Sequence, residues 1–173
     1  MSLRFTAPLV LYFAGLAIRL SYERSKKRGG ARSQSKVLYV LVFISMCVLW
    51  ASWFAMCPKD PVTLELPDML SWLGLGVFMV GLVLAFGALI QLRGVENINH
   101  LVTKGLFARL RHPMYIGFIC WIIGWALYHR AGISSVAGLV GIANILYWRH
   151  LEENDLALKY GDAYLVYRKT SWL

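Results

Sequence analysis

The chain has 173 residues, 58% of them hydrophobic and only 16% charged, with a formal net charge of +9. A soluble domain carries about a quarter charged residues, so this balance, with a mean hydropathy of +0.56, excludes an ordinary soluble domain and points to one polytopic membrane bundle. The basic residues lie in short loops between apolar runs, so the charge reads as membrane orientation, and no nucleic-acid partner is expected.

Residues 5–20 are apolar apart from Arg19. The polybasic stretch follows this run instead of preceding it, so it reads as a retained first span and not as a cleaved signal. Arg24, Lys26, Lys27, Arg28, Arg32 and Lys36 then surround Gly29 and Gly30, a flexible loop whose charge marks the cytosolic side. Residues 37–56 form a second span of bilayer length. Pro58 and Pro61 end it, and the next loop carries Lys59 against Asp60, Glu65 and Asp68. Residues 69–92 form a third span with Gly74, Gly76, Gly81 and Gly87, small residues of the kind that let membrane helices approach closely.

The loop 93–112 is basic again. Pro113 suits the first turn of a helix, where its missing N–H costs nothing. Residues 115–128 make a fourth apolar segment, short for a full crossing. A turn at His129-Arg130-Ala131-Gly132 leads to a fifth, 133–148, so this pair reads either as two crossings or as a hairpin. The tail 149–173 has leucines and tyrosines at helical spacing, and is expected to run as an amphipathic surface helix interrupted near Gly161. Loop charges alternate, and five crossings place the N-terminus outside and the C-terminus in the cytosol. Cys47, Cys57 and Cys120 lie in or beside apolar runs without ligand spacing, so neither a disulfide nor a metal site is expected.

Charge is packed most tightly against apolar spans in HLVTKGLFARLRHPMYIG, residues 100–117. Arg111, His112 and Tyr115 stand there at one helix entrance, whose free N–H groups also attract anions. Glu152 and Glu153 supply carboxylates at comparable depth after the fifth span, and Arg149 lies four residues before Glu153, on the same helical face. Together these groups suit a ligand with an anionic end, a cationic centre and an aromatic base. S-adenosylmethionine has that make-up, and a nucleotide or a phospholipid headgroup uses the same parts.

The order LVxxG, RHPxY, EExxL and YGxxYxxY over residues 99–168 resembles the isoprenylcysteine carboxyl methyltransferase and phospholipid methyltransferase superfamily. The sterol-type reductases carry a similar RHPNY motif, but they usually have Asn where this chain has Met114 and often Glu where it has Phe118. The resemblance implies an all-α integral membrane bundle of about five transmembrane helices plus an amphipathic C-terminal helix, in one domain covering 1–173. Residues 1–92 would be a three-span scaffold, and 93–173 would carry the cofactor loop, two short spans and the C-terminal helix.

The resemblance further implies S-adenosyl-L-methionine as cofactor and methyl transfer to a lipophilic or lipidated acceptor, with membrane lipids as the other partners. His100, Leu101, Val102, Gly105, Phe107, Arg111, His112, Pro113, Met114, Tyr115, Glu152 and Glu153 are the candidate cofactor-binding residues. Arg149 and Glu153 are the candidate catalytic residues. The chain departs from the family pattern at Asn99, where His is common, and at Phe107, where Tyr is common; Arg149 precedes Glu152 by three residues and Glu153 by four. A compact five-span chain of this kind is expected in a prokaryotic inner membrane. The alternatives are an NADPH-dependent sterol-type reductase and a non-catalytic membrane interaction protein.

Overall fold

A computed structural model describes residues 2–27, 36–92 and 101–172. Six helices are present among them: α1 (Leu3–Lys27), α2 (Lys36–Met56), α3 (Asp68–Leu92), α4 (Pro113–Tyr128), α5 (Gly132–Tyr160) and α6 (Asp162–Thr170). The architecture is all-α, and the segments Leu3–Ser25, Val40–Lys59 and Asp68–Leu92 are long and apolar enough to cross a membrane. The side chains turned away from the core are themselves apolar: Val10, Phe43, Val83, Ile90, Val136 and Leu139 are all exposed. In water such a surface would aggregate, whereas among acyl chains it is ordinary solvent contact.

Two helices run longer than the sequence reading. α1 continues to Lys27, because Glu23, Arg24 and Lys26 are good helix formers and Arg19 pairs with Glu23 one turn on, at 2.6 Å. α5 passes unbroken from its apolar half through the charged residues to Tyr160, so the fifth apolar segment and the first part of the tail are one rod. It stops at Gly161, whose φ of +52° suits a residue without Cβ.

α3 and α4 lie antiparallel with their backbones in contact. A Cβ at Gly124 would stand 2.5 Å from the Phe78 nitrogen and 2.6 Å from the Gly74 oxygen, and one at Gly81 would stand 2.7 Å from the Gly117 oxygen. Glycines seven apart on each helix therefore face each other, which is how small residues draw membrane helices together. Aromatic rings fill the remaining centre: Trp50 meets Trp121 at 5.3 Å and Phe78 meets Trp125 at 5.0 Å. Tyr12, Leu49, Trp53, Ile122 and Ile145 complete the core from α1, α2, α4 and α5.

At the far end of the bundle, Asp60 ties the loop after α2 to the start of α5. Its Oδ2 accepts hydrogen bonds from the Ser134 backbone N–H and hydroxyl, both at 2.6 Å, and its Oδ1 accepts from Val62 N–H at 3.0 Å and Ile133 N–H at 3.3 Å. A remote carboxylate thus serves the free N–H groups of α5 that no local cap reaches. Asp60→Ala is expected to cost about 1–3 kcal/mol, read as a lowered Tm in detergent, with Asp60→Asn retaining part of the stability.

Candidate active site

α4 begins at Pro113, with His112 in the cap position just outside it; proline has no backbone N–H to leave unpaired, and its fixed φ fits the first turn. His112 is therefore held against the bundle, with only 5% of its side chain exposed. Opposite it, the charged part of α5 presents Arg149, Glu152 and Glu153. Three cationic or titratable groups converge on one oxygen, Oε1 of Glu153: His112 Nε2 at 3.2 Å, Arg149 Nε at 3.4 Å and Arg111 Nε at 3.4 Å. Glu153 is the node, with 11% of its side chain exposed, whereas Glu152 is 48% exposed.

The carboxylate of Glu153 can only accept, so Nε2 of His112 carries the proton in their bond and Nδ1 is bare. That bare nitrogen faces Glu152 Oε2 at 3.8 Å, and Glu152 is also the hydrogen-bond partner of Tyr115. The His112 and Tyr115 rings stack, with centroids 5.6 Å apart. Burial pushes the His112 imidazole down to about 4, outweighing the pull of Glu153 in the other direction. Burial would raise Glu153, but Arg149, then His112 and Arg111, hold its carboxyl below the usual range.

Both shifts act with the same sign. The unfolded chain binds a proton on histidine below about 6.5 that the folded site refuses down to about 4, so stability present above that window is lost as pH falls through it. Glu153 adds stability above its unfolded value, lost on further acidification. Tm in detergent is expected to be flat in these groups from pH 8 to 7 and to fall below pH 6.5 as His112 enters its window. His112→Gln should flatten the upper part of that fall.

The loop before α4 is pinned from two sides. Gln91, at the end of α3, donates from Nε2 to the Lys104 carbonyl at 2.5 Å and accepts from the Leu106 N–H at 3.0 Å. Gly105 sits directly over that amide with φ of +62°, a place where a Cβ would collide with it. From the other side comes the C-terminal segment. Tyr167 donates from its hydroxyl to the Phe107 carbonyl at 2.5 Å, and Arg111 Nη1 donates to the carbonyls of Arg168 at 2.7 Å and Ser171 at 3.2 Å. Arg111 N–H donates to Trp172 at 2.9 Å and Trp172 N–H to Arg109 at 2.7 Å.

Of the residues singled out from the sequence, Arg111, His112, Tyr115, Arg149, Glu152 and Glu153 come together at one end of the bundle. Pro113 and Met114 start α4 beside them. Phe107 is buried under the C-terminal segment, and its carbonyl makes the contact given above. Leu101 and Val102 are half-buried in irregular chain leading to this loop, and His100 lies outside the described residues. Gln91, Tyr164 and Tyr167 went unnoticed as site elements. Gln91 was legible as the one amide in the last turn of an apolar run.

This is a helical bundle with a membrane-type surface that carries a node of converging charged groups at one end. The chain belongs to the phospholipid methyltransferase family, whose model matches residues 69–163, from the start of α3 to just past the glycine that ends α5. It is similar to the protein-S-isoprenylcysteine O-methyltransferase of Schizosaccharomyces pombe, 29% identical over 110 residues that cover 55% of this chain and 44% of that protein. It is 33% identical over 89 residues to protein-S-isoprenylcysteine O-methyltransferase B of Arabidopsis thaliana, covering 48% and 42%. Methanethiol S-methyltransferase of Pseudomonas deceptionensis is 34% identical over 109 residues, covering 58% and 41%. The matched stretch thus spans less than half the length of each of these relatives. No solved structure matches.

Proposed function

We propose that the chain is an S-adenosyl-L-methionine-dependent methyltransferase acting on a lipophilic acceptor at the membrane face that bears the Glu153 node, and that this face is cytosolic. The observation that carries the reading is the convergence of Arg111, His112 and Arg149 on Glu153, in a chain whose family is a methyltransferase family. The relatives are protein-S-isoprenylcysteine O-methyltransferases and a methanethiol S-methyltransferase, which supports a lipophilic or lipidated acceptor here. Lys104, Arg109 and Arg111, in the described loop before α4, support the cytosolic orientation.

The residues present fit such a cofactor. Arg111 Nε, paired with Glu153 by charge alone, and the Tyr164 hydroxyl are buried with no hydrogen-bond partner, and Tyr164 lies within electrostatic reach of Glu153 and Arg111. Two buried donors beside a half-exposed Glu152 make a set suited to a molecule with both a carboxylate and an amine. Arg111 and Arg149 would hold the carboxylate; Glu152, with the bare Nδ1 of His112, would hold the amine. When bound, S-adenosyl-L-methionine supplies an electrophilic methyl group on a sulfonium.

The chain's own work is then to orient, to exclude water and to manage one proton. Transfer to a carboxylate or thiolate needs proximity and in-line approach but no general base, in keeping with a site without a nucleophilic triad. Arg149, on the outer side of the node, would orient an anionic acceptor. For an amine acceptor, the half-exposed carboxylate of Glu152 has a further oxygen lone pair with which to take the proton. The segment Tyr164–Trp172 covers the loop and keeps bulk water from it.

Isothermal titration of the detergent-solubilised protein with S-adenosylhomocysteine tests the reading, with NADPH as the parallel ligand. Binding of S-adenosylhomocysteine alone is the expected result. Binding of NADPH alone would move the chain to reductase chemistry, and binding of neither by folded protein would end the enzymatic reading.

A further inference from the structure

At the end of the bundle opposite the Glu153 node, an open cleft of about 330 Å³ is lined by Asp68, Ser71, Trp72, Tyr128, His129 and Arg130. It lies where the apolar spans end and lipid headgroups begin. Trp72, in its lining, is strongly exposed on the outer surface of α3, so the cleft opens sideways onto the bilayer as well as onto water.

The arginine in it stands where sterics favour another residue. α4 closes with the Ala131 N–H bonded back to the Ala126 carbonyl at 3.0 Å, the pattern that usually puts glycine at the preceding, left-handed position. Here that position is Arg130, with φ of +52°, and it is the only non-glycine residue with positive φ among the described residues. A side chain kept at a position where it strains the backbone points to a use for that side chain.

The guanidinium is held but not consumed. Nε donates to the Ser71 hydroxyl at 2.8 Å and Nη2 pairs with Asp68, while Nη1 has no partner among the described residues. Ser71 is buried and Asp68 has 88% of its side chain exposed. A planar fork with one free edge suits a phosphate oxygen. Beside it stand an exposed carboxylate and two aromatic rings, Trp72 and Tyr128, with centroids 6.1 Å apart. Carboxylate and ring faces are what an alkylammonium group seeks.

We propose that this cleft is a binding site for the headgroup of a zwitterionic phospholipid in the leaflet opposite the active site: the phosphate on the free edge of Arg130, the ammonium against Asp68 and the Trp72 and Tyr128 rings. The partner is a membrane lipid and not a soluble phosphoamine, because the cleft is shallow and its apolar lip faces the acyl region, so the headgroup alone leaves the lip unfilled.

Native mass spectrometry of the detergent-solubilised protein tests this with dioleoylphosphatidylethanolamine, dioleoylphosphatidylglycerol and free phosphorylethanolamine as probes. One retained phosphatidylethanolamine per chain is expected, held about tenfold more tightly than phosphatidylglycerol and not displaced by phosphorylethanolamine. Arg130→Gly suits the local backbone and should weaken that lipid about tenfold, and Trp72→Ala, at an exposed position, about threefold or more. Asp68→Asn should remove the preference over phosphatidylglycerol. Equal retention of the lipid by the wild type, Arg130→Gly and Trp72→Ala would overturn the site, and displacement by phosphorylethanolamine would overturn its lipid occupant.

Discussion

Glu153→Ala is expected to weaken S-adenosylhomocysteine binding by about tenfold or more. The reason lies in what remains. Arg111, His112 and Arg149 all converge on the Oε1 that the substitution deletes, leaving two arginines close together with no anion between them. Breaking a buried charged pair costs about 3–5 kcal/mol. Arg149 retains some solvent contact, which brings the figure to about 2–3 kcal/mol; this is lost from the stability of the node, and affinity falls because the guanidinium groups and the His112 ring are no longer held in place for the ligand. Glu153→Gln keeps an acceptor oxygen and should fall between the variant and the wild type. Titration of both variants, with Tm confirming that each is folded, checks this. Unchanged affinity in folded Glu153→Ala would remove Glu153 from the site and leave Glu152 as the carboxylate of interest.

The largest effect on stability is expected at Gly124. A leucine there would begin with a Cβ 2.5 Å from the Phe78 nitrogen and 2.6 Å from the Gly74 carbonyl. These are backbone atoms that cannot rotate away, so α3 and α4 must separate along the whole glycine seam. Forcing volume into packed contacts costs about 1–3 kcal/mol and more where backbone must move, so Gly124→Leu should lower Tm by roughly 6–12 °C or prevent folding. Gly76→Ala is the control on the same pair of helices. A Cβ at Gly76 meets nothing within 4 Å, so alanine should be neutral or stabilising by up to about 1 kcal/mol. Equal losses at the two positions would refute the seam.

Much of this was legible in the residues because it depends on periodicity and on local chemistry. Apolar runs and their Pro and Gly stops located α2, α3 and α4 to within a few residues, and spacing alone put Arg149 and Glu153 on one face. What was not legible depends on contacts between distant segments. The sequence offered Glu152 and Glu153 as equals; only packing against His112 and Arg111 buries one and leaves the other half-exposed. Tyr167 reads as a step in a helical repeat until its hydroxyl is seen on the Phe107 carbonyl. Asp60 reads as one of several loop acids, because the helix it caps starts more than seventy residues later.

The glycine seam also governs depth. α4 has 16 residues and is about 24 Å long, against a hydrocarbon core of about 30 Å. It is pressed backbone to backbone on α3, a helix of 25 residues, and so cannot slide along it. Gly117 meets Gly81 and Ala85, so α3 runs on past the start of α4 to Leu92, and the node at the mouth of α4 is set back from that end. A lipophilic acceptor whose reactive group sits at the top of its tail would meet Arg149 and Glu153 without lifting that tail out of the membrane.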